Sequence, residues 1–157
     1  MACEFLWNDP QIVAFNSPIL FRSSIPCTRG WVIHEDETGN FILRGANTSN
    51  CCNQFAQYQV TFNGNIGVPE GGEVTPIAIA ITVNGEPRLT SRAIYVPADT
   101  TEAGDYGNVT STAIIKVPRC CCYSLSVDAV PATTDPAIIP APLIEVQNAN
   151  LTITRIA

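Results

Sequence analysis

A chain of 157 residues is long enough to bury a substantial core and short enough to be one domain, or one domain with an arm. Hydrophobic residues make up 46% and charged residues only 14%, well under the usual quarter, so part of the surface is expected to be covered by neighbouring subunits. A formal charge of −6 with one lysine and scattered arginines (22, 29, 44, 88, 92, 119 and 155) argues against nucleic acid as a ligand, and no apolar run approaches a membrane span.

The start, MACEFLWNDPQ, lacks the basic head and apolar core of a secretion signal, so synthesis without classical secretion is expected. Residues 1–50 hold both tryptophans and four of the six phenylalanines, but their periodicity is broken. Short apolar bursts (Ile12–Phe15, Ile19–Phe21, Trp31–Ile33, Phe41–Leu43) are separated by Pro10, Pro18, Pro26 and Gly39. Such bursts suit short edge segments, where proline is tolerated. We therefore expect an arm or small β-subdomain over 1–50 that anchors the protein, with Trp7, Phe15, Phe21 and Trp31 as its gripping residues. The only histidine, His34, stands beside Glu35, Asp36 and Glu37. Without a second histidine or a marked nucleophile, a solvated turn is expected there.

After a polar bridge (45–53), the second region (51–157) reads as a succession of strands. Tyr58, Val60 and Phe62 alternate with Gln57, Gln59 and Thr61, the half-buried pattern. A loop is expected over Gly64–Gly72; its glycines come without a lysine or a following helix, so phosphate binding is not supported. Ile77, Ile79, Ile81 and Val83 share a face opposite Ala78, Ala80 and Thr82, a strand covered on both sides. Asn84-Gly85 predicts a tight hairpin, with Leu89–Val96 returning. A polar loop from Pro97 to Gly107 carries Asp99, Glu102 and Asp105 without matching a calcium loop. Val109–Val117 alternates again, Cys120–Val127 follows as a strand, residues 130–142 with four prolines form a loop, and Ile144–Val146 and Leu151–Ile156 flank a turn at Gln147-Asn148. Strands at this spacing indicate a sandwich or barrel.

Seven cysteines fall at 3, 27, 51, 52, 120, 121 and 122. An odd number cannot all pair within one chain, and cytosolic synthesis predicts reduced thiols at first. Three readings stand for Cys120, Cys121 and Cys122, as for Cys51 and Cys52: buried small hydrophobes, disulfides within or between chains, or a metal shared between chains, the last lacking the usual ligand spacing. Three N-x-S/T triplets (at Asn47, Asn108 and Asn150) are chance matches without a secretory route. No nucleophile elbow is present; no enzyme, cofactor or metal is expected.

The segments YQVTFNGNIGVP, IAIAITVNGEP, NVTSTAIIKVPRCCCYSLSV and the final NANLTITRIA resemble the globular C-terminal heads of bacterial and phage collagen-like proteins, within the tumour-necrosis-factor/complement-head jelly-roll superfamily. The likeness covers about residues 55–157, and similar sequences look like those of phages of Gram-positive gut bacteria. It implies an all-β antiparallel jelly-roll sandwich, here with an extended N-terminal arm, that forms a homotrimer around an apolar face and sits on a virion surface. The major capsid protein, or another virion protein, would be its partner through the arm, with Cys120, Cys121 and Cys122 as further assembly candidates. No Gly-X-Y stalk precedes this head, which favours capsid decoration over a long fibre. The rivals are a receptor- or glycan-binding fibre head, a cysteine-cross-linked spore-surface subunit, and a barrel enzyme; the single histidine counts against the last.

Overall fold

The computed structural model describes residues 2–46, 54–137 and 139–157. Its strands in chain order are β1 (Ala2–Trp7), β2 (Gln11–Ala14), β3 (Arg22–Ile25), β4 (Val32–His34), β5 (Phe41–Arg44), β6 (Phe55–Gly67), β7 (Ile77–Val83), β8 (Glu86–Pro87), β9 (Ala93–Tyr95), β10 (Gly107–Pro118), β11 (Cys122–Val130) and β12 (Leu143–Arg155). They form two antiparallel sheets. The first runs β10-β6-β12-β1-β3 with β2 also on β12; the second runs β4-β5-β11-β7-β8 with β9 on β7. Consecutive strands β5 and β6, and β10 and β11, lie in different sheets, so the chain crosses repeatedly between layers, as in a jelly roll.

Sustained alternation explains the long strands. β6 buries Ala56, Tyr58, Val60, Phe62, Gly64 and Ile66 and turns the intervening residues outward, and β12 does the same around Leu151 and Ile153. Inner faces of both sheets meet in one core, in which Phe41 packs edge-on against Phe5 at 4.7 Å and Phe21 at 5.8 Å, and Phe21 against Phe62 at 6.4 Å. The tight turn at Asn84-Gly85 is present with both residues at positive φ, 52° and 80°, the backbone an Asn-Gly hairpin requires.

Residues 2–46 are not an arm. β1 lies between β12 and β3 in one sheet, and β5 lies between β4 and β11 in the other. Phe5, Phe21, Phe41 and Leu43 are among the most buried side chains of the molecule. A boundary at residue 50 therefore cuts through both sheets. The polar bridge before β6, with Cys51, Cys52 and Asn47, falls largely outside the described residues.

Four local expectations change as well. Gly64–Gly67 continues β6 rather than beginning the loop, and the return after the hairpin is two-residue β8 on β7, followed over the expected Leu89–Val96 strand by a single turn of 3₁₀-helix, Leu89–Ser91, and short β9. Gln147-Asn148 is not a turn but a bulge within continuous β12, where pairing to β6 skips a step and Asn148 takes φ 55°. Cys120 and Cys121 precede β11 in the turn that carries the chain between sheets, with Cys120 at φ 59°. That turn is held by Gly45 N–H donating to the Cys121 carbonyl at 2.8 Å and Cys120 N–H to the Ala46 carbonyl at 3.1 Å.

His34 likewise leaves the solvated turn assigned to it. Its side chain is 2% exposed, its ring stacks on Phe41 at 4.2 Å, and its Nε2–H donates to the Thr38 carbonyl at 3.0 Å. It is a core residue with one ring nitrogen satisfied.

Candidate assembly face

The four aromatic residues expected to act together are dispersed. Phe21 is fully buried in the core. Trp7, at the end of β1, is half-buried beneath the Arg22 guanidinium, 4.4 Å from its ring centre. Phe15 is half-buried after β2, its N–H donating to the Pro142 carbonyl at 3.0 Å. Trp31 lies at the entry to β4 with the Arg155 guanidinium stacked 3.5 Å above its ring. Cys120, Cys121 and Cys122 do come together, as exposed free thiols; the expectation that they are buried hydrophobes fails for these three. Among the described residues no group of three or more His, Cys, Asp and Glu side chains is arranged to hold a metal ion.

A different surface stands out on the first sheet. Four successive rungs cross its strands β10, β6 and β12: Asn108, Asn65 and Gln147; Thr110, Asn63 and Asn150; Thr112, Thr61 and Thr152; Ile114, Gln59 and Thr154. All twelve positions are exposed or half-exposed, and none is charged. Their side chains bond to one another across the strands: Thr61 and Thr112 hydroxyls lie 3.2 Å apart, and the Asn108 amide donates to Asn63 at 2.9 Å and Asn65 at 3.1 Å. Such ladders fix the side chains before any partner arrives, which lowers the ordering cost of association. The face is uncharged but polar: on it, only Ile114 within the grid, and Phe55 and Ile156 at its lower margin, are large exposed apolar residues.

The outer face of the second sheet is built from smaller residues, Ala78, Ala80, Thr82 and Ser126, with Asp128 among them. Burial pushes the Asp128 carboxyl above the ordinary carboxylate range. The neighbouring Ser126 and Thr82 hydroxyls offset part of that, although neither Asp128 Oδ1 nor Thr82 Oγ1 has a partner in hydrogen-bonding geometry. An acid whose folded pKa is raised loses stability as pH climbs from the unfolded to the folded value. Asp128→Asn is thus expected to raise stability at pH 7 by about 1 kcal/mol and to make no difference at pH values below the unfolded carboxylate pKa. Thermal melts of both proteins across that range check the sign.

At the end of the sandwich where β6 finishes, Asp105 organises the loop of residues 97–106. It accepts from the Tyr95 hydroxyl and from the N–H groups of Ala98 at 2.6 Å and Asp99 at 2.8 Å. These bonds, the one from Tyr95 foremost, hold its carboxyl below the ordinary range. Asp105 is therefore a loop brace and not a free acidic ligand.

No protein-family model matches the chain, and no curated protein matches its sequence. Solved structures do resemble it in fold. The globular domain of zebrafish complement 1qA aligns over 99% of this chain and 96% of its own, at 11% identity and TM-score 0.57. Eiger TNF from S. frugiperda aligns over 100% and 92% at 12% identity and TM-score 0.62, and murine APRIL over 99% and 100% at 9% identity and TM-score 0.56. The likeness runs across residues 1–50 as well as the rest.

Proposed function

We propose that this chain is a structural, non-catalytic jelly-roll head that associates with copies of itself as a homotrimer, serving as a decoration subunit on a phage virion surface. The observation that carries self-association is the twelve-position grid without a charge on β10, β6 and β12, in a chain whose net charge is −6. Interface centres are depleted of charge because desolvating an unpaired ion costs several kcal/mol. A solvated face of this size has no such constraint and would ordinarily carry several charges. The virion setting rests on the sequence resemblance alone, and attachment through a free arm is no part of it, because residues 2–46 belong to the sandwich.

Thr61, at the centre of the grid between Thr112 and Thr152, supplies the test. Its side chain points away from the core, so Thr61→Arg leaves folding intact while placing like charges together around the axis, at a cost of several kcal/mol. That corresponds to at least about a hundredfold weaker association. Light scattering is expected to give a trimer for the wild type and a monomer for the variant, with equal circular dichroism. A monomeric wild type would overturn the reading.

A further inference from the structure

The basic residues look scattered in the sequence, but the fold gathers five of the eight at one end of the sandwich. Arg44 ends β5 opposite Cys122, Lys116 on β10 pairs with Gln57, and Arg155 on β12 pairs with Tyr58. The Arg119 N–H donates to the Gln54 carbonyl at 2.7 Å. Arg29 lies with Arg155 over the Trp31 ring, at 5.9 Å and 3.5 Å, and the Lys116 ammonium is 5.9 Å from the Phe55 ring. Among the described residues none of these five cations is ion-paired with an acidic side chain. Arg and aromatic side chains in this proximity are the residue types that dominate interface energetics.

The opposite end has the reverse character. Its loops, residues 68–76 and 97–106, hold Glu70, Glu73, Asp99, Glu102 and Asp105 and contain no lysine, arginine or histidine. Glu145 at the start of β12 joins them, and with Glu70 and Glu102 it lines one open cleft beside Tyr106. Glu70, Glu73, Asp99 and Glu102 are exposed.

We propose that these two ends are complementary docking surfaces for a second copy of this chain, the basic end of one molecule seating on the acidic end of the next. β6 alone spans 13 residues between the ends, about 40 Å at 3.3 Å per residue. That is several times the Debye length of about 8 Å at physiological ionic strength. Each end therefore acts on its neighbour as an isolated patch, and the overall negative charge does not prevent contact. The contact is heterologous, so it propagates along the strand axis and does not close on itself. It uses neither the grid nor any residue of it, and it holds whether the unit that stacks is a monomer or a trimer. Exposed ion pairs are individually weak, so the association is reversible and salt-labile.

Sedimentation of the whole protein at about 0.1 M and about 1 M ionic strength, where the Debye length is about 10 Å and 3 Å, tests it. The expected result is a mass that rises with concentration at the lower salt and is constant at the higher. Two charge-reversed variants supply the specific arm: Lys116→Glu with Arg119→Glu, and Glu70→Lys with Glu102→Lys, all at exposed positions. Each variant alone is expected to lose the concentration dependence, and an equimolar mixture to regain it, since the unaltered acidic end of the first variant meets the unaltered basic end of the second. A mass independent of concentration at 0.1 M would overturn the proposal, as would a mixture no different from its components. Retention of the wild type on immobilised polyglutamate without any self-association would also overturn it, in favour of a foreign acidic partner.

Discussion

Removing residues 1–50 is expected to leave an unfolded chain, not a folded head lacking its attachment arm. The deletion takes β1 from between β12 and β3 and β5 from between β4 and β11, so both sheets lose interior strands. It also strips Phe5, Phe21, Phe41 and Leu43, all essentially inaccessible to solvent, from the core. Burying one such side chain is worth about 1.5–3 kcal/mol, so these four alone amount to about 6–12 kcal/mol, comparable to the whole net stability of about 5–15 kcal/mol. Far-ultraviolet circular dichroism and amide chemical-shift dispersion of residues 51–157 decide the matter: collapsed dispersion is expected, and a sheet spectrum with dispersed amides would restore the arm. Phe41→Ala is the single-residue version. Phe41 contacts Phe5, Phe21 and the stacked His34 ring, and truncating such a residue costs about 3–5 kcal/mol.

The reason the first fifty residues look detached is physical. Period-two alternation becomes visible only over several residues, and β2, β3, β4 and β5 are three or four residues long. β2 conceals its inward face further, because the inward residue Gln11 is polar. Its amide donates to the Leu20 carbonyl at 3.1 Å and its side-chain oxygen accepts from the Leu20 N–H at 2.9 Å, so it satisfies buried backbone where a hydrophobe would be expected. Pro10, Pro18 and Pro26 do fall between strands, as proline chemistry requires. Their inference that the segments are short holds; the step from short to peripheral does not. A comparable ambiguity misplaces Gln147-Asn148. A bulge and a turn both use a residue at positive φ, Asn tolerates that conformation in either, and only the strand pairing tells them apart.

The candidate faces divide along the same line. Of the outward residues of β6, Gln57, Gln59 and Thr61 are legible in the sequence as the polar half of an alternating strand, whereas Asn65 falls in the stretch that reads as a loop. That they join Thr110 and Thr112 on one side and Thr152 and Thr154 on the other is not, because pairing between segments so far apart in the chain is decided by the packing of the whole core. The basic end is more distant still from the sequence. Arg29, Arg44, Arg119 and Arg155 are brought together only because the loops and strand ends carrying them are neighbours across both sheets.

The pairing of Cys3 with Cys27 yields the second large effect, a loss of about 3.5 kcal/mol when the bond is absent. The two residues are 24 apart in sequence, and closing a loop of that length removes chain entropy from the unfolded state worth about 3.5 kcal/mol at 25 °C. The native geometry shows which part of the fold yields first. Cys3 is buried on β1 opposite Ile153, whereas Cys27 follows β3, whose four residues are all exposed and which pairs with β1 alone. Once the bond opens, β3 keeps only a short edge pairing, so the loss is expected as early fraying of residues 22–30 together with a lower global midpoint. Urea unfolding with and without reductant measures the global part, and Cys27→Ser assigns it: the variant should match the reduced wild type and be indifferent to reductant. Equal midpoints for oxidised wild type and variant would mean that the bond constrains nothing the fold does not already hold. The exposed thiols of Cys120, Cys121 and Cys122 should meanwhile react with a water-soluble thiol reagent in the native state of both proteins. The reductant-dependent stability then belongs to Cys3–Cys27.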